Sequence, residues 1–145
     1  MRKRFIMREV EPEGYKPMIA MDSYLSTTKI EPLHKELIKI RASQMNGCAF
    51  CIDKHTKEAR KLGETEQRIY ALNAWRDTPF FSREERAILA LTEEITLISN
   101  RVSDATYDEA IEVLGQQLTA QVMIAATAIN SLNRIGIATR MMPTL

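Results

Sequence analysis

The sequence is poor in chain breakers. Its 145 residues include five glycines and five prolines. A fold of many short strands needs turn residues roughly every ten positions, and these are too few to supply them. Charge of one sign is also missing. Twenty Lys and Arg face nineteen Asp and Glu, for a net charge of +1, whereas a dedicated nucleic-acid binder carries a larger or clustered basic excess. Two cysteines exclude a disulfide-dense mini-protein. No clean apolar run exists. The longest uncharged stretch, Val113 to Asn133, is interrupted by Gln116, Gln117, Gln121, Asn130 and Ser131, and a membrane span wants about 20 mostly apolar residues. Arg2, Lys3 and Arg4 look like the start of a signal peptide, but Arg8, Glu9, Glu11 and Glu13 stand where its apolar core would be. The chain therefore reads as cytoplasmic, with no membrane or nucleic-acid partner. In a reducing compartment a disulfide is a catalytic device more often than a staple.

What is present is helical periodicity. The length suits one domain with one core. Residues 1–16 are charged and contain Pro12 and Gly14, which suggests an irregular or extended N-terminal arm. A helical domain then occupies 17–145. Pro17 and Pro32 suit first-turn positions, so helices are expected from Pro17 to Thr28 and from Pro32 to Asn46. Asn46-Gly47 ends the second. A third runs from Cys48 to Leu62, closed by Gly63, and a short fourth from Glu64 to Trp75. Ser82-Arg83-Glu84-Glu85 is a capping-box pattern that starts a helix at Arg83, running to Asn100. Ser103 or Asp104 caps another, to Leu114, and the last spans Thr119–Met141. That last helix is apolar on more than one side, which fits a central helix or a subunit interface. The expected fold is all-α, a single-domain bundle of six or seven helices.

One segment carries chemistry: Cys48-Ala49-Phe50-Cys51-Ile52-Asp53-Lys54-His55. At the start of a helix, Cys48, Cys51 and His55 fall at i, i+3 and i+7, on one face. Two thiols a turn apart can form a disulfide with modest adjustment. The helix N-terminus favours a thiolate, and more so at Cys48 than at Cys51. His55, one turn past Cys51, can exchange a proton with it. If the helices either side of Asn46-Gly47 form an antiparallel hairpin, Glu36 comes within about a turn of His55, and a carboxylate there orients the ring. Beside Lys35 and Lys39, Glu36 also fits a solvated helix face. Thiolate attack on a peroxide gives a sulfenic acid, and a second thiol condenses with it to a disulfide. That cycle needs no metal or organic cofactor. A structural zinc site would want four ligands, and His34, 14 residues before Cys48, is not at a familiar spacing. His34 reads instead as a surface or interface residue, and Tyr70 and Trp75 as core or interface aromatics.

The pattern of a Glu, eleven residues, then Cys-x-x-Cys-x-x-x-His resembles the alkyl hydroperoxidase D-type proteins of the carboxymuconolactone decarboxylase superfamily. Glu36, Cys48, Cys51 and His55 fit it without a gap, and Arg41–Cys51 and His55–Arg60 are similar to the family's core segment. The resemblance implies an all-helical homo-oligomer, a trimer or hexamer, that reduces hydroperoxides. It implies Cys51 as the peroxidatic thiol, Cys48 as the resolving one, and His55 and Glu36 as the proton relay. The electron donors it suggests are a lipoyl group or a small thiol. A non-turnover redox sensor, an oligomeric scaffold and a dithiol donor to a peroxiredoxin are the competing readings. Phe50 departs from the family, since some members carry a second His there. Members without the cysteines decarboxylate a lactone acid, and the intact pair argues against that chemistry here.

Overall fold

Proline and short polar side chains set most helix starts in the structure, a computed structural model that describes residues 2 and 4–143. Seven α-helices follow one another, joined by turns, with no strand among the described residues. They are α1 (Met7–Val10), α2 (Pro12–Tyr24), α3 (Pro32–Asn46), α4 (Ala49–Lys61), α5 (Glu66–Ala71), α6 (Arg83–Thr96) and α7 (Asp104–Thr139). The all-α fold agrees with the sequence reading.

Several boundaries differ from that reading. The segment expected to be irregular up to residue 16 contains α1 and the first turn of α2. Pro12 is a breaker only in a helix interior. It sits here at the first helical position, where no N–H is needed, and the Glu11 side chain accepts from the Gly14 amide. Pro17 consequently lies inside α2 rather than at its start. The expected helix 64–75 shortens to α5, capped by Thr65, and tightens into a 3-10 turn over Leu72–Asp77. α6 has the expected capping box at Ser82 and Glu85 but ends at Thr96, followed by a 3-10 turn at Ile98–Asn100. The last two expected helices form one element bent at Gly115, whose φ of 73° only glycine adopts at little cost. That element stops at Thr139, because Arg140 turns left-handed and Met141 N–H bonds back to the Gly136 carbonyl at 2.9 Å.

The core lies on both sides of α3. Ile38 and Ala42 pack with Ile88 and Leu91 of α6 and with Val122, Ala125 and Ile129 of α7. Leu37 and Ile40 face a second cluster containing Ala59, Leu72, Trp75, Phe81 and Leu89. These side chains are essentially sealed from solvent, and each buried Leu, Ile, Val or Phe contributes roughly 1.5–3 kcal/mol. α3 is thus the central strut. α7 packs against it and α6, yet keeps Ile124 and Ile137 exposed on its far side.

Candidate functional site

The site is built on the turn between α3 and α4. Gly47 adopts φ 74° as the cap of α3, and its own amide bonds to the Ser43 carbonyl. A buried polar network pins this turn to α7. Asn46 Nδ2 donates to Asn130 Oδ1 at 2.8 Å and to Asn133 Oδ1 at 2.9 Å. Asn133 Nδ2 donates to Ser43 Oγ at 3.0 Å, and Asn130 Nδ2 to Thr96 Oγ1 at 3.0 Å. A buried amide left without partners would cost about 1–3 kcal/mol, so the network specifies one placement of the turn.

Cys48 follows as the N-cap of α4, in extended backbone, rather than as a residue of the helical face. That is the adjustment a one-turn disulfide needs. Cys51, the third helical residue, bonds to it, with the two Cα atoms 5.3 Å apart. Cys48 is 2% exposed and Cys51 5%. Above the pair lies Gly136 of α7. A Cβ on Gly136 would stand 3.2 Å from Cys48 Sγ, 3.7 Å from Cys51 Sγ and 3.9 Å from Met141 Sδ. The absence of a side chain there lets α7 close over the disulfide.

The hairpin of α3 and α4 brings Glu36 to His55, with Glu36 Oε2 2.7 Å from His55 Nδ1. Both side chains are largely buried. His55 is one turn after Cys51 on the buried face of α4. Of the four residues singled out by spacing, Glu36 therefore meets His55 across the α3–α4 hairpin and Cys48 meets Cys51 at its turn, with one helical turn of α4 between Cys51 and His55.

Two neighbours were not singled out. Lys39 Nζ stands 2.9 Å from Asp22 Oδ1 and 3.9 Å from Glu36 Oε1, with its side chain only 10% exposed. Lys39 is at i+3 from Glu36, so its place on the same face was legible, although it read as a solvating neighbour. Asp22 comes from α2 and left no local signal. A cavity of about 450 Å³ is lined by Asp22, Ser26, Lys35, Glu36 and Lys39.

His34 stays apart from the cysteines. It is buried on α3 rather than on the surface, with Nδ1 3.5 Å from Glu84 Oε1 and Nε2 3.9 Å from Glu85 Oε1. Trp75 is buried, whereas Tyr70 is exposed. Phe50 lines an open groove of about 650 Å³ with Lys54, Lys57, Ile69 and Tyr70, on the outer side of α4. Among the described residues, no three His, Cys, Asp or Glu side chains gather so as to hold a metal ion. No helix among them is long and apolar enough to cross a membrane.

Comparison with known proteins gives this arrangement a context. Residues 12–94 match the model of the carboxymuconolactone decarboxylase family. The chain is 50% identical over 139 residues to the uncharacterized protein YdfG of Bacillus subtilis (strain 168), covering 95% of each chain. It is 32% identical, with a TM-score of 0.95 over 99% of each chain, to a protein of unknown function from Agrobacterium tumefaciens whose name proposes an AhpD antioxidant defence role. An uncharacterized peroxidase-related protein from a Silicibacter species shares the fold at 24% identity and a TM-score of 0.79, over 92% of this chain and 72% of that one.

Proposed function

This chain belongs to the carboxymuconolactone decarboxylase family, and from that premise we propose that it is a thiol peroxidase, reducing hydroperoxides through the Cys48–Cys51 dithiol. One observation carries the reading: a partly buried Glu36–His55 hydrogen bond of 2.7 Å, one helical turn from a cysteine of a buried disulfide. An inert pair of cysteines needs no such relay.

The cycle starts from the dithiol. His55 takes the Cys51 proton while Glu36 holds the opposite ring nitrogen, as in nucleophilic triads. The Cys51 thiolate attacks the distal peroxide oxygen and the O–O bond breaks. Cys51 becomes a sulfenic acid, and the departing alkoxide takes the proton from His55 and leaves as the alcohol. The Cys48 sulfur then attacks the sulfenic sulfur, water leaves, and the disulfide closes. Two thiol equivalents from a lipoyl-type dithiol or a small thiol restore the starting state. Helix position alone would favour Cys48 as the lower-pKa thiol. Proximity to His55 favours Cys51 as the attacking one, and general acid–base assistance is worth about 10²–10⁴-fold.

The proposed working form is a cytoplasmic homo-oligomer, a trimer or hexamer. Exposed Ile124 and Ile137 on α7, with Met142 beyond it, supply an apolar surface for such contacts. Turnover is the test. Cumene hydroperoxide should be consumed in many-fold excess over protein when dihydrolipoamide is present, and not by Cys51→Ser. A single stoichiometric oxidation with no further turnover would replace the enzyme by a sensor. Stimulation only when a peroxiredoxin is added would make it a donor.

A further inference from the structure

The Glu36 carboxylate divides its two oxygens. Oε2 bonds to His55 at 2.7 Å, while Oε1 faces the Lys39 ammonium at 3.9 Å. That ammonium is bound more closely by Asp22 Oδ1, at 2.9 Å. The order of groups is therefore Asp22, Lys39, Glu36, His55, which alternates acid and base from α2 through α3 to α4. Lys39 is the cation standing between Asp22 and Glu36 in this row. Lys35, the other basic residue lining the cavity, donates instead to the Leu25 carbonyl at 3.0 Å. A lysine nearly always reaches water with its ammonium. Here the side chain is 10% exposed, although an exposed position would serve a surface ion pair equally well.

We propose that Lys39 is a positioning residue of the relay: it separates Asp22 from Glu36 and so keeps the Glu36 carboxylate free to accept the His55 N–H, with the cavity lined by Asp22, Glu36 and Lys39 as the place where the relay exchanges its proton with solvent. The proposal rests on the thiol chemistry assigned above. Its physical basis is like-charge repulsion. Two carboxylates sharing a poorly solvated site do not both stay ionised. Without Lys39, the Glu36 and Asp22 carboxylates would face each other with no cation between them, and Glu36 would steady less well the imidazolium formed when Cys51 ionises. Asp22 acts only through this repulsion, so its removal alone should do little. Its removal together with Lys39 should repair part of the damage.

The reduced full-length protein tests this with two readouts: alkylation of its thiols by iodoacetamide, and their oxidation by cumene hydroperoxide. Lys39→Met should slow both about tenfold, the order of effect that loss of one neighbouring charge has on a proton-transfer group. Lys39→Arg should stay within about threefold of wild type, because it keeps the charge. Asp22→Asn should also stay near wild type, and Asp22→Asn with Lys39→Met should fall between wild type and Lys39→Met. Lys57→Met, which removes an exposed cation paired with Asp53, is the control and should change neither rate. A folded Lys39→Met with wild-type rates overturns the proposal, and so does a double variant slower than Lys39→Met. If Lys39→Met does not fold, the double variant and Lys39→Arg decide: a double variant at the wild-type rate, or a slow Lys39→Arg, overturns it. Should wild type alkylate normally but ignore the peroxide, the peroxidase reading fails, and Lys39 is judged on alkylation alone.

Discussion

Two glutamates, the buried Glu93 on α6 and the partly buried Glu36 on α3, have opposite surroundings. Glu93 Oε1 accepts from Trp75 Nε1 at 2.8 Å and from Arg41 Nε at 2.6 Å, and Oε2 accepts from Arg76. Burial pushes its carboxyl up, but those three donors outweigh it and hold the group below the usual carboxylate range. Two of the donors are arginines, which do not give up protons in proteins. Glu36 has a single close partner, and that partner is a histidine. Its other oxygen is held only at 3.9 Å. A carboxylate saturated by permanent donors can only hold the fold together. A carboxylate facing a titratable ring, with slack on its other side, can take part in moving a proton.

The same isosteric change should therefore do opposite things at the two sites. Glu93→Gln leaves Arg41 and Arg76 without their buried anion and should cost about 3–5 kcal/mol of stability, measured by urea unfolding, with the thiol oxidation rate per folded molecule unchanged. Acid should sharpen that difference. Glu93 and Glu85 both lie below their ordinary range, Glu85 because its bonds to Arg68 and the Ser82 amide outweigh burial. A depressed carboxyl adds stability above its unfolded pKa and loses it as pH falls through the folded one. Wild type should thus weaken below roughly pH 4, and Glu93→Gln should show a flatter profile there.

Glu36→Gln should reverse the pattern. Its melting point should stay close to that of wild type, while peroxide reduction in a stopped-flow assay falls about 100-fold, near 2.7 kcal/mol of barrier. A Glu36→Gln protein that kept its rate but melted early would place both glutamates in the same structural class.

Gly136→Ala tests the contact between α7 and the thiol end of the relay. Its Cβ would lie 3.2 Å from Cys48 Sγ, so a loss of about 1–3 kcal/mol is expected in thermal unfolding of the oxidised protein. Ser82→Ala, far from the relay, should cost only about 1 kcal/mol through loss of the capping box, with peroxide reduction unaffected.

Much of the site could be read from local spacing. Cys48, Cys51 and His55 lie within eight residues, and Glu36 joins them through a hairpin that Asn46-Gly47 announces. The capping box at Ser82 was legible for the same reason, because its two partners are three residues apart. What was illegible depends on distant elements. Asp22 meets Lys39 only because α2 packs beside α3, and nothing near residue 22 signals it. His34 lies next to Lys35 in sequence, which suits a surface or interface, whereas its partners Glu84 and Glu85 come from the distant α6. The start of α2 was masked because Pro12 and Gly14 are breakers by composition, whereas at a helix start proline is well placed. Spacing alone places Cys48 on the helical face, since it does not show which residue is the cap.

The most direct test of the relay-and-dithiol account is the intact mass of fully reduced protein before and after one equivalent of cumene hydroperoxide, with Cys48→Ser and Cys51→Ser alongside. The account predicts loss of two hydrogens in wild type, a trapped sulfenic adduct in Cys48→Ser and none in Cys51→Ser. Wild-type thiols that survive as long as those of a control small thiol would contradict it.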